Sequence, residues 1–178
     1  MILAVISSRS TKLLLNDTGL EIKVNCNPLL TCHAWTEIYG EIMTGQDSVI
    51  RFVNPTTLSK PVGYSHLAEV SNAKMIYISG QVALDQAGNL VGEDDMRAQA
   101  QQVFTNLKAA LEAVGADFNS VVKLNFYLLD ISQVQAIREV RDQYVNTQHP
   151  PTSTAVEVRR LFREDILIEV EAVAALPG

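Results

Sequence analysis

The sequence predicts an α+β domain, a mixed sheet with two helices on one face. Three observations carry this. Met96, Ala100, Val103, Leu107, Ala110 and Val114 recur at three- and four-residue steps, the period of an amphipathic helix. VVKLNFYLLD at 121–130 is rich in β-branched and aromatic residues, which suit a strand. IEVEA at 168–172 alternates apolar and acidic residues, the period of a strand with two unlike faces. The order of elements is strands, helix, strand, helix, two strands, and no internal repeat or low-complexity linker interrupts it.

The elements follow in turn. SVIRFV at 48–53 reads as a first strand, ended by Asn54–Pro55. Leu67–Ser71 and Met75–Ser79 are short strands around a turn at Asn72–Ala73. DQAGN at 85–89 is a turn by composition. Glu93, Asp94 and Asp95 then place negative charge where a helix N-terminus favours it, and Gly115 ends the helix. A second helix runs from about Ser132 to Tyr144, with Val134, Ile137, Val140 or Arg141, and Tyr144 on one side. Thr154–Val158 and Ile166–Ala174 are the last strands, joined by the charged turn RRLFRED.

The totals narrow the function. Of 178 residues, 47% are hydrophobic and 19% charged, ordinary for a globular chain with a sizeable core. A formal charge of −6 without a basic patch argues against nucleic acid as a partner. The longest apolar runs are too short to span a bilayer, so no membrane role is expected.

Residues 1–42 stand apart. MILAVISS begins like a signal peptide, but the apolar run is short and no lysine or arginine precedes it. The segment holds Trp35 and both cysteines, and Cys26, Cys32 and His33 match no familiar zinc spacing and lack a fourth ligand. No metal is expected, and the thiols suit a reducing, cytoplasmic setting. MTGQDSVIRFVNP from Met43 reads like a natural start. The expectation is an N-terminal extension over 1–42, a start-site artefact or disordered, and a folded domain over 43–178.

HPPTSTAVEV at 149–158 raises a functional question. Two prolines fix the backbone in an extended shape before a strand, which serves either as a rigid lead-in or as one wall of a site. Glu169 and Glu171 share one face of their strand, as a solvated edge or as a source of a carboxylate that orients water at a subunit interface. GYSH at 63–66 and SGQ at 79–81 are weak signals alone, since a glycine after a strand serine marks either a turn or a ligand contact.

In order and spacing these pieces form a pattern. VGYSHLAEV, KMIYISGQVALDQAGNLVG, AQAQQVFTNLKAALEAVGADFNSVVKLNFYLLDI, HPPTSTAVEVRRL and ILIEVEAVA resemble the RidA (YjgF) family from Val53 to Ala174. The resemblance implies a chorismate-mutase-like fold assembled as a homotrimer with clefts between subunits. It also implies hydrolysis of small reactive enamines and imines to ammonia and 2-keto acids, with no metal or organic cofactor. Carried across, the pocket tyrosine falls on Tyr64, the cleft-lining backbone on Ser79 and Gly80, and the water-positioning glutamate on Glu169. A pocket asparagine falls on Arg138.

The family's Pro-Ala-Arg-Ser-Cys segment aligns with Pro151, Thr152, Ser153, Thr154 and Ala155, so Ser153 stands where deaminases carry arginine. An arginine grips a carboxylate with two parallel hydrogen bonds, each charge-assisted bond contributing about 1.5–3 kcal/mol. Its loss implies an altered substrate preference or a replacement cation. Thr152 and Ser153 then become substrate-binding candidates, and Arg138 is the candidate cation if it faces the pocket rather than solvent. A non-catalytic trimer that binds a small molecule or a protein in the same clefts is the alternative function.

Overall fold

The structure, a computed structural model, describes three strands near the N-terminus and residues 49–178. The chain divides into two compact units, Met1–Gln46 and Asp47–Gly178. In the first, β1 (Ala4–Ser7), β2 (Ser10–Leu14) and β3 (Glu21–Val24) form an antiparallel sheet in that order, with Val5 opposite Lys12 and Lys12 opposite Lys23. These strands were not expected from the sequence, where short apolar runs without sustained alternation give little signal. Cys26, Cys32, His33 and Trp35 lie outside the described residues.

The second unit begins with β4 (Val49–Val53) and β5 (Leu67–Ser71), an antiparallel pair in which Arg51 lies opposite Glu69 and donates Nε to its carboxylate at 2.8 Å. β6 (Ala73–Gln81) follows directly, after Asn72 turns the chain at φ 50°. The expected turn at 85–89 is present, with the Asp85 carboxylate accepting from the backbone N–H groups of Ala87 and Asn89. Helix α1 (Met96–Glu112) opens at Asp95, whose side chain accepts from the Ala98 N–H at 3.0 Å and so satisfies an otherwise unpaired donor of the first turn.

After a 3₁₀ turn at Phe118–Ser120 come β7 (Val121–Leu128) and α2 (Val134–Arg141), the latter preceded by a second 3₁₀ turn that Asp130 caps. β8 (Thr152–Glu157) and β9 (Ile168–Pro177) close the chain. The sheet order is β6-β9-β7-β8. β9 runs antiparallel to both neighbours and β7 runs parallel to β8, so the sheet is mixed. The last two strands are therefore not paired with each other. β7 lies between them, because α2 provides the crossover that a parallel pair requires.

Strand alternation sorts the side chains. Leu124, Phe126 and Leu128 of β7 and Ile168, Val170, Ala172 and Ala174 of β9 are buried against α1 and α2, where they meet Phe104, Leu107, Leu111, Ile137 and Val140. The residues between them turn to the other face, which neither helix covers. Tyr77 there is 79% exposed, and Met75 and Val156 are also exposed. Gln99 is fully buried in the core side of α1, yet no polar atom is wasted. Its Nε2 donates to the carbonyls of Gly92 (3.1 Å) and Asp165 (2.8 Å), and its Oε1 accepts from the Leu167 N–H (2.8 Å). This side chain ties α1 to the start of β9. No helix among the described residues is long and apolar enough to cross a membrane.

Candidate functional site

The proline pair is part of a wall. Pro150 and Pro151 are buried, and Ser65 holds both of their carbonyls, its N–H donating to Pro151 (3.2 Å) and its Oγ to Pro150 (2.7 Å). That anchors the loop before β5 to the lead-in of β8 and carries Tyr64 to the edge of the sheet. Tyr64 meets His66 edge-on with ring centroids 5.3 Å apart, and His66 is itself tied to the Ser59 carbonyl.

Tyr64, Arg138 and Ser153 line one cavity of about 240 Å³. Its remaining walls are apolar (Phe126, Leu128 and Ile137 among them) except for a second arginine, Arg141. Arg138 thus faces the cavity rather than bulk solvent alone. Arg141 sits three residues along α2, so both guanidinium groups leave the same helix face. No acidic side chain is among the lining residues. Arg141 is 6% exposed, and its Nε (2.9 Å) and Nη2 (2.5 Å) donate to Oδ1 of Asp142. The sequence had offered Arg141 as an alternative to Val140 on the inner side of α2. In the structure both are inside, since the helix turns Val140 to the core and Arg141 to the cavity edge.

The other candidates gather elsewhere. Ser79 and Gly80 lie near the end of β6, and Glu169 on β9 lies against Gly80, where a Cβ would sit 1.8 Å from Oε1 of the carboxylate. Glu169 belongs to the uncovered face of the sheet, opposite Tyr127 in register, whereas Phe126, Leu128 and the cavity lie on the helix side. One chain therefore holds its glutamate and its cavity on opposite faces of one sheet. Thr152 is not a cavity residue, and its hydroxyl donates to the Val122 carbonyl at 2.8 Å.

The structure separates the two acids of IEVEA. Glu171 accepts from Asn125 Nδ2 (2.8 Å) and from the Tyr127 hydroxyl (2.9 Å), which commits it to the sheet surface. That bond, with burial and the nearby charges of Glu171 and Glu169, raises the Tyr127 pKa above its ordinary value. Among the described residues the Glu169 carboxylate has no hydrogen-bond partner.

The profile of the Endoribonuclease L-PSP family matches residues 56–176, nearly the whole second unit. The chain belongs to this family. Among L-PSP relatives, it is similar to a RutC family protein of Synechocystis sp., 34% identical over 129 residues, 72% of this chain and 98% of the relative. It is also similar to a protein of Dermatophagoides farinae named 2-iminobutanoate/2-iminopropanoate deaminase, 32% identical over 71% of this chain and 96% of that one. A solved structure of YyfB of Yersinia pestis, described as a protein of unknown function of the conserved Rid family, superposes with TM-score 0.66. It is 34% identical and covers 71% of this chain and 98% of its own. Membership and the α+β fold, with two helices on a mixed sheet, agree with the expectation from the sequence.

Proposed function

We propose that this chain hydrolyses small 2-iminoacids or their enamine tautomers to ammonia and 2-keto acids. The observation that carries the reading is the cavity in which Tyr64, Arg138, Arg141 and Ser153 converge, in a chain 32% identical to a relative named as an iminoacid deaminase. An iminoacid carries a carboxylate, and a guanidinium in an apolar cavity is suited to bind it. In this chain the cation comes from α2, while β8 contributes only the neutral Ser153 and Ala155. Tyr64 supplies a hydroxyl donor. Glu169, an acid without a hydrogen-bond partner among the described residues, is the base that orients water toward the C=N carbon.

Because Glu169 and the cavity lie on opposite faces within one chain, the reading places the reaction between subunits of a homotrimer, the cavity of one facing the Glu169 and Gly80 of the next. Water adds to the imine carbon, and the carbinolamine releases ammonia as its carbonyl forms. No cofactor is required by that sequence. A ribonuclease reading is less well supported, because the net charge is −6 and the cavity is too small for a stacked polynucleotide.

The test is ammonia and keto-acid release from imines generated in place by an amino-acid oxidase or dehydratase. Glu169→Gln is expected to lower kcat at least a hundredfold without changing the fold. Ser153→Arg is expected to raise kcat/KM less than threefold, since two guanidinium groups already face the cavity. No turnover of any imine, with a stable metabolite retained in the cavity, would favour the alternative of a non-catalytic binding protein.

A further inference from the structure

Two guanidinium groups line the cavity, and one of them, Arg141, is already paired with Asp142. Arg141 is held from two sides. Asp142 engages its Nε and Nη2, and Gly63, at φ 73°, passes so near that a Cβ would sit 2.8 Å from Nη2. Any other residue at 63 would meet a strained backbone and a displaced guanidinium. The remaining nitrogen, Nη1, has no hydrogen-bond partner among the described residues, and Arg141 lines the cavity. Arg138 has neither a carboxylate nor a hydrogen-bond acceptor among the described residues, although Glu139 beside it is paired with Arg97.

Two cations on one helix face, three residues apart, have Cβ atoms roughly 5–6 Å from each other. Two carboxylates on one small molecule can therefore meet the pair, one at each guanidinium. The walls of Phe126, Leu128 and Ile137 lower the local dielectric, which strengthens both ion pairs and makes an unanswered cation costly.

We infer that the cavity selects a substrate with two anionic groups, the imine of a dicarboxylic amino acid. Arg141 holds the carboxylate next to the C=N carbon and Arg138 holds the distal one. The inference takes its chemistry from the proposed imine hydrolysis and its choice of substrate from the two arginines. A neutral or apolar side chain at the distal position leaves Arg138 unpaired.

The full-length protein tests this in two ways. In turnover, imines made by oxidase action on aspartate or glutamate are compared with those from alanine and 2-aminobutyrate. The dicarboxylic imines are expected to show at least tenfold higher kcat/KM. Arg138→Gln is expected to reduce that preference to within twofold, mainly through KM, whereas Arg141→Lys lowers kcat/KM for both classes by at least tenfold. Equal or reversed preference in the unmodified protein would overturn the inference. In binding, titration calorimetry compares succinate with butyrate and with inorganic phosphate. Succinate is expected to bind at least tenfold more tightly than either, and phosphate binding as tight as succinate would also overturn it. Succinate selectivity without turnover of any imine would defeat the proposed reaction and leave only the selection of a dianion standing; imine turnover without succinate selectivity would defeat that selection and leave the reaction.

Discussion

Gly80 shows how one missing side chain shapes a site. A methyl group at this position would fall on the Glu169 carboxylate, 1.8 Å from Oε1 and 2.7 Å from its carbon. The backbone there is not in the left-handed region, so alanine brings no conformational strain, only a collision with a side chain that is free to swing aside. Gly80→Ala is therefore expected to leave the melting temperature within about 3 °C and to reduce imine hydrolysis at least tenfold, as thermal unfolding and the ammonia assay would show. Lost folding with lost activity would mean that Gly80 acts on the sheet rather than on Glu169. Gly63 plays the matching part beside Arg141. SGQ and GYSH were visible in the sequence as glycines in unusual company. That each makes room for a particular charged side chain was not visible, because Glu169 and Arg141 are remote from them along the chain.

Among the elements, α1 and the uncovered sheet face give contrasting tests. Gln99 joins α1 to β9 through three hydrogen bonds to backbone groups. Gln99→Leu keeps the volume and strands two carbonyls and an N–H in the core, at a cost of about 3 kcal/mol, or roughly 10 °C in melting temperature. A loss under 1 kcal/mol in denaturant unfolding would mean that water reaches those groups. Nothing in the sequence pointed to this residue. A glutamine on an apolar helix face reads as an exposed position until its partners are known.

On the other face, the bond from Tyr127 to Glu171 raises the tyrosine's pKa. A group raised in the folded state contributes stability below its unfolded pKa, about 10 for tyrosine, and loses that contribution as pH rises through the folded value. The melting temperature should therefore change little from this pair between about pH 7 and 10 and fall above that. Tyr127→Phe should lower it already at neutral pH and flatten the alkaline decline. In an ultraviolet absorbance titration the variant should lack a tyrosine that ionises above the ordinary value, and an unchanged titration curve would count against the bond.

At the scale of the whole molecule, the uncovered face and the split between Glu169 and the cavity point the same way. Exposed Tyr77, Met75 and Val156 on a sheet with helices on only one side leave apolar area that a single chain does not bury. We predict a homotrimer in solution. Light scattering that gives a monomer at micromolar concentration would remove the basis for a site between subunits. The second unit has its own core, so a chain starting at Met43 is expected to fold and assemble with a melting temperature within about 5 °C of the full length. A drop of more than about 10 °C would show that the first residues pack on that core.

The sequence by itself determined the second unit's elements. Periods of 3.6 and 2 are local properties of the chain, and α1, β7 and β9 follow from them within a few residues, while the turn at 85–89 follows from composition and the acidic run at 93–95 marks where α1 begins. Resemblance along that same stretch placed Tyr64, Arg138 and Ser153 at a common site, and the structure has them around one cavity. The strands of the first unit escaped notice because four- and five-residue runs carry too few repeats of their period. What only the tertiary structure decided was pairing and sidedness. Sheet order put β7 between β8 and β9, the helix phase turned Arg141 into the cavity beside Arg138, and hydrogen bonds engaged Glu171 while Glu169 has no partner among the described residues. Each of these depends on contacts between residues far apart in the chain, which local periodicity does not encode.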